Sequence, residues 1–521
     1  MAGPQSTTRA FVNGVVYLGR GETIERGFVV FRGDTIEEVG PRPAFVKRSG
    51  MDIIDLDGKL LLPGLIDAHV HLVTYSEILT GLDLSDTYSL EEGLEMIKSR
   101  LAGLAPAERL DGRGWDKQHW RLEGFPHRKM LDAIAPDNPV VLDSRDGHSA
   151  WVNTTVIEKY GLENHVGRVE GGEIEVDADG RPTGILKENA VSLVARRLGE
   201  EDLGELAGKM GAGCRELASL GLTGVHSVVN ADDARVLDIA GEKGDLTLNL
   251  IRMREIHGLE ELEPLEADTP FIKIFADGAL GSQSAAMLEP YSGNPGNKGV
   301  VATTRADLEK MVFRSMEKGF SLAIHAIGDR ANMDVLDVYE EARRRYPDGR
   351  AILRVEHAQV LRDEDIPRFG ALGVIASMQP IHLVGDMDVA DRYWGQRSRG
   401  AYAFRAISGA GGTLAFCSDA PIESPDPLKG IHAAVTRRDP ARPGHPAWYP
   451  DQCLTVAEAL DCYTLDAARA GGESGLAGAI RTGLRADFTV LDTNILAVPD
   501  PDAILHTGVA MTVVRGKTVA P

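Results

Sequence analysis

Apolar, β-branched runs recur along the chain and are separated by amphipathic stretches of helical period. Eight such runs stand out: 65–72, 222–229, 248–253, 271–277, 321–328, 352–359, 374–379 and 414–419. Continuous apolar strands alternating with amphipathic helices are the pattern of βα units around a parallel sheet. Eight of them predict a (β/α)8 TIM barrel in preference to a doubly wound sheet. The helices between them carry start and stop signals. Thr304-Arg-Ala-Asp307 and Thr455-Val-Ala-Glu458 read as capping boxes, and Gly319 falls where a helix C-terminus belongs.

Two regions break this rhythm. Near the N-terminus, Ala10–Tyr17, Gly27–Phe31 and Thr35–Val39 read as short strands divided by turns, and Asp487–Leu491 with Ala510–Arg515 repeat the pattern at the far end. The expectation is a composite β-sandwich built from both termini, residues 1–62 plus 485–521. The second exception is the gap between the first two barrel strands, where 81–215 reads as an inserted α+β subdomain. It holds Pro139–Asp143 and a hairpin from Gly172–Asp177 through Asp179-Gly180 to Thr183–Leu186. The barrel itself is expected over 63–80 plus 216–484.

Composition narrows the function classes. The 521 residues hold 43% hydrophobic and 26% charged residues, which describes a folded globular chain and excludes disordered or fibrous classes. With 56 Lys and Arg against 78 Asp and Glu, the net charge of −22 repels phosphate backbones and anionic lipid. Neither nucleic acid nor membrane is an expected partner. The four cysteines form no CxxC pair, so a disulfide framework and a cysteine zinc site are both unsupported and a reducing cytoplasm fits. No secretory signal and no apolar run of about 18 residues is read in the chain.

The chemistry concentrates at the ends of the predicted strands. In Pro63-Gly-Leu-Ile-Asp-Ala-His-Val-His71, His69 and His71 are two apart on a strand and project from one face. Two neutral imidazoles on one face make a metal site. His325, His357 and Asp419 close the corresponding runs, at the face where barrel enzymes place their active sites. Four histidines and an aspartate suit a divalent ion such as zinc, iron or manganese. Lys273 lies among apolar neighbours in Phe271-Ile-Lys-Ile-Phe275, where a bare ammonium is strongly disfavoured. It needs a partner, with Asp277 a candidate, or a modification to a carbamate.

These residues resemble the amidohydrolase superfamily, and within it the amidohydrolase-3 (YtcJ-like) branch of metal-dependent hydrolases. The resemblance covers nearly the whole chain and rests also on Gly114-Trp-Asp116, Gly147–Asn153, Thr183–Glu188, Asp277–Ser282, His325–Arg330, Val355–Gln359, Ser377–Pro380 and Gly430–Arg437. It implies a distorted barrel, a terminal β-sandwich, an insertion after the first strand and a centre of one or two divalent ions, zinc being the leading choice. By carry-over, His69, His71 and Asp419 bind the more buried ion and His325 with His357 the second. Lys273 bridges them as N6-carboxylysine, and Glu188 is the reserve metal-facing carboxylate. The chain departs from the branch pattern at Ala279, Gln283 and Ser284, where relatives read Ser, Arg and Thr. The substrate contacts of relatives therefore do not transfer.

The expected reaction is hydrolysis of an amide, N-acyl or N-formyl C–N bond in a small molecule. A divalent ion lowers the pKa of bound water from about 15.7 towards ~7, and Asp419 acts as general base and then general acid. Trp115, Asp116, Arg145 and His148 are expected to contact substrate from an insertion acting as a lid, and Arg330, Gln379 and His382 from barrel loops. A deaminase or cyclic-amide hydrolase could use the same centre, and a catalytically silent binding protein is the alternative outside enzymes. A homodimer is the expected assembly.

Overall fold

The computed structural model describes residues 7–85, 87–117, 119–144, 149–169, 172–188, 190–194, 200–262 and 270–521. The chain divides into two compact units, Met1–Val73 with Gly213–Pro521, and Thr74–Ala212.

The larger unit is built on an eight-stranded, all-parallel sheet. Its strands are β1 (Leu65–Val70), β2 (Leu222–Val229), β3 (Asn249–Glu255), β4 (Phe271–Phe275), β5 (Ser321–Ala326), β6 (Leu353–His357), β7 (Ile375–Met378) and β8 (Thr413–Phe416). Each pairs with the next in chain order. Between β8 and β1 the ring is nearly closed: just past the strand ends, Asp419 N–H donates to His69 C=O and His71 N–H to Ala420 C=O, both at 2.8 Å. This is a TIM-like barrel, as the eight apolar runs predict. Five of the strands end two or three residues earlier than their apolar runs. His357 and Asp419 adopt φ of 74° and 61°, left-handed values that extended chain cannot accommodate.

The helix signals hold. Thr304 Oγ1 accepts Asp307 N–H at the start of Arg305–Glu317, and Thr455 with Glu458 forms a reciprocal box at the start of Val456–Tyr463. No helix among the described residues is long and apolar enough to cross a membrane.

Both chain ends enter one further sheet of eight strands. Thr8–Gly19, Glu22–Arg32 and Thr35–Pro41 form one flank. Leu60–Pro63 then joins Thr8–Gly19 to the C-terminal strands Phe488–Leu491, Val509–Val514 and Lys517–Ala520. Its core joins residues from both ends: Phe11, Phe31 and Phe488 meet with centroids 5.2–5.5 Å apart.

The smaller unit holds a six-stranded sheet in the order Gly172–Val176, Pro182–Glu188, Ser149–Val152, Val140–Ser144, Leu110–Trp115, Leu82–Asp83. The hairpin expected around Asp179-Gly180 is present, with Gly180 at φ 76°. Trp115, Trp120 and Trp151 pack edge to face in its core.

Truncating Phe488 to Ala removes an aromatic that both chain ends share, and a buried Phe→Ala change costs about 3–5 kcal/mol. The expected result is an earlier transition of the larger unit in chemical denaturation followed by fluorescence.

Candidate metal centre

All the groups that meet at the barrel mouth sit at strand ends of the larger unit. His69 points inward from β1, and His71 follows just past that strand. Asp419 turns back from the segment after β8. His69 Nε2 and His71 Nε2 each lie 3.3 Å from Asp419 Oδ1. One ligand atom from each of the three falls within 4.8 Å of the others. His71 is 32% exposed, whereas His69 and Asp419 are nearly closed off from solvent.

Protonation fits the purpose. Burial pushes the His69 imidazole down to about 4, so it is neutral at physiological pH. Its Nδ1 is 2.6 Å from Glu356 Oε2, which requires the hydrogen on Nδ1 and leaves Nε2 bare. Burial opposes ionisation of Asp419, yet the facing imidazoles of His69 and His71 outweigh it and hold the carboxyl well below the usual range. An imidazole nitrogen and a carboxylate oxygen face each other at 3.3 Å. That arrangement suits a cation, and the donor set of imidazole and carboxylate matches a divalent metal.

Two more histidines stand beside this trio. The His357 ring lies 5.3 Å from that of His69 and 4.5 Å from that of His325. His325 Nε2 is 3.1 Å from Gly278 C=O and 3.3 Å from Asp277 Oδ1, so its hydrogen is on Nε2 and Nδ1 is the free nitrogen. Burial, then the neighbouring His325, keeps His357 neutral. Lys273 on β4 is fully buried, and its Nζ has no hydrogen-bond partner among the described residues. Burial lowers it to about 8 against the pull of Glu356, Asp419 and Glu255. Asp277 is not its partner: that carboxylate accepts the N–H groups of Ala286, Ile327 and Gly328.

Glu356 was not expected from the sequence. It is itself gripped by Arg354, Nε to Oε1 at 2.8 Å and Nη2 to Oε2 at 3.0 Å, with both residues fully buried. Burial opposes ionisation of Glu356, and Arg354 and His69 more than offset it. Glu356 thus orients His69 and sets its tautomer, the usual arrangement behind metal-binding histidines. The available signal was its position next to His357 at a strand end.

The residues expected to touch substrate fare differently. Trp115 is a correction: it is 1% exposed, and its indole N–H donates to Leu142 C=O at 2.7 Å, which makes it part of the smaller unit's core. Asp116 is half-buried in the same unit and accepts the His119 N–H. Arg145 and His148 lie outside the described residues, as does the side chain of Glu188 at the end of its strand. Arg330 is 46% exposed on the first turn of helix Asp329–Arg345, 3.8 Å from Asp334. His382, on helix Pro380–Trp394, is 3.0 Å from Ser418 C=O, immediately before Asp419. Gln379 is a second correction: at 1% exposed it bonds His357 and Cys417, and it has no surface to offer substrate.

Residues 52–520 match the family model of the Amidohydrolase family. The chain is a member of that family. Among amidohydrolase relatives, YtcJ of Bacillus subtilis (strain 168), which carries the name amidohydrolase, is 32% identical over 89% of this chain and 90% of its own. An N-substituted formamide deformylase of Arthrobacter pascens is 29% identical over 85% of each chain. The crystal structure of an uncharacterized metal-dependent hydrolase from Pyrococcus furiosus superposes with a TM-score of 0.78 at 28% identity, covering 94% of this amidohydrolase and 100% of that chain.

Removing one member of the buried pair strands the other. Glu356→Gln is expected to destabilise the barrel by about 3–5 kcal/mol, whereas the double change Arg354→Met with Glu356→Leu recovers most of that loss. The double variant should still bind metal about 10–100-fold more weakly, because His69 has lost its acceptor. Thermal unfolding and zinc titration separate the two effects.

Proposed function

We propose that this amidohydrolase cleaves a non-peptide C–N bond in a small molecule, with N-formyl and N-acyl amines as the substrate class, at a centre of one or two divalent ions, zinc by ligand type. The observation that carries this reading is the convergence of His69, His71 and Asp419 within reach of one ion. His325 and His357 stand ready beside it with free nitrogens. The formyl choice draws support from the similarity to a protein whose name describes deformylation of N-substituted formamides.

An ion held by His69, His71 and Asp419 would supply Lewis-acid activation of water and of the substrate carbonyl. The chain's own groups do the rest. Asp419 Oδ1, 3.3 Å from both imidazoles, takes the proton of the attacking water and returns it to the leaving nitrogen. His69 keeps its hydrogen on Nδ1, against Glu356, so it remains a donor to the ion and takes no part in proton transfer. At Lys273, addition of carbon dioxide to the neutral amine forms a carbamate and releases a proton. The product would replace an orphaned buried nitrogen by a carboxylate, a group that could serve as a metal ligand.

Elemental analysis of reconstituted protein is expected to give about two ions per chain, falling in His71→Ala together with hydrolysis of N-formyl amines. Lys273→Ala should hold about one, and bicarbonate should promote reconstitution of the wild type only. Release of ammonia from an amidine, or opening of a lactam, with N-formyl amines untouched would move the assignment to a deaminase or cyclic-amide hydrolase. A chain that binds no metal and hydrolyses nothing would be a small-molecule-binding protein.

A further inference from the structure

Gln379 lies between two buried groups. Its Oε1 is 2.9 Å from His357 Nδ1, and its Nε2 is 3.0 Å from Cys417 Sγ. Proton counting fixes which way the amide faces. Cys417 has one hydrogen, and Met378 C=O accepts it at 3.3 Å. Ser377 Oγ lies 3.5 Å from the same sulfur and 3.1 Å from Arg354 Nη2, whose two hydrogens also face Ala68 C=O and Glu356 Oε2. With that hydrogen on Met378 C=O, the sulfur accepts from Gln379 Nε2. The amide nitrogen turns to the sulfur, and the amide oxygen turns to His357. An amide oxygen accepts only, so His357 carries its hydrogen on Nδ1 and keeps a bare lone pair on Nε2. Rotated by half a turn, the same amide would aim its N–H groups at Nδ1, move the hydrogen to Nε2 and remove that lone pair.

We propose that Cys417 and Gln379 form a tautomer lock that holds His357 as an Nε2 donor. The inference rests on the reading of His357 as a ligand of the second ion. Gln379 is a positioning residue that acts through His357 alone. Its counterpart at His69 is the carboxylate of Glu356, which accepts through either oxygen and cannot be turned the wrong way. A glutamine can be, and the buried thiol is what denies it the second orientation.

The test uses metal-free, full-length protein with ¹⁵N-labelled histidine. Two-bond nitrogen–hydrogen correlations report which ring nitrogen carries the hydrogen, with His357 identified by its absence in His357→Asn. Wild type and Gln379→Glu should show a protonated Nδ1 and a bare Nε2. Gln379→Met and Cys417→Ala should move part or all of that hydrogen to Nε2, and zinc titration should show affinity for one ion falling about 10–100-fold. A wild-type His357 protonated on Nε2, or Nδ1 protonation unchanged in both Gln379→Met and Cys417→Ala, overturns the lock. A tautomer that moves while zinc binding stays at the wild-type level upholds the lock and removes His357 from the ligand set.

Discussion

Inside the barrel, the architecture of the centre depends on one buried ion pair, Arg354 with Glu356. An arginine that is fully enclosed is tolerable only if every face of the guanidinium is satisfied, and this one is. It donates to Ala68 C=O on β1, Ala470 C=O beyond the barrel's last strand, Ser377 Oγ on β7 and both oxygens of Glu356, and its Nη1 bonds His226 on β2. The planar fork of five N–H donors is what lets one side chain tie four parts of the barrel together; a lysine offers a single point charge. Through Glu356 the pair sets His69, and through Ser377 it reaches the thiol that faces Gln379. The orientation of His69 thus traces back to one cation, which also reaches the surroundings of its neighbour His357.

Much of this protein was legible in its sequence, for physical reasons. A strand buried on both faces has to be apolar throughout, so the eight barrel runs announced themselves. His69 and His71 were legible because a strand repeats every two residues and the ladder has no other use for paired imidazoles. The partners of those histidines were not. Glu356 is 287 positions from His69 along the chain, and the bond between them exists only once the sheet has closed. Gln379 failed in the other direction: a polar residue at a strand end reads as a substrate contact, and nothing in the neighbouring letters says that it faces inward. Trp115 was misjudged because an aromatic beside an aspartate suits a binding loop and a core equally well.

The strand ends were also read too long, and the excess is informative. His357, Ala358 and Asp419 adopt left-handed backbone at φ of 74°, 43° and 61°. Such conformations in non-glycine residues cost of order 1–3 kcal/mol each and persist only where the surroundings enforce them. Here the enforcement is visible: His357 is bonded to Gln379, and the Asp419 amide is bonded to His69 C=O. Extended backbone would alternate their side chains across the sheet. The bend instead turns them into the barrel mouth.

The sheet shared by the two chain ends has a consequence for biosynthesis. Leu60–Pro63 precedes its antiparallel neighbour Phe488–Leu491 by more than 400 residues, and Arg9 precedes its acceptor Gly516 by 507. At about 5–20 residues per second, the N-terminal strands wait on the order of 20–90 s with an open, apolar edge. Exposed edges of that kind recruit other strands. Until Phe488–Leu491 is made, the nascent chain therefore carries one adhesive flank, and that strand is the one that covers it.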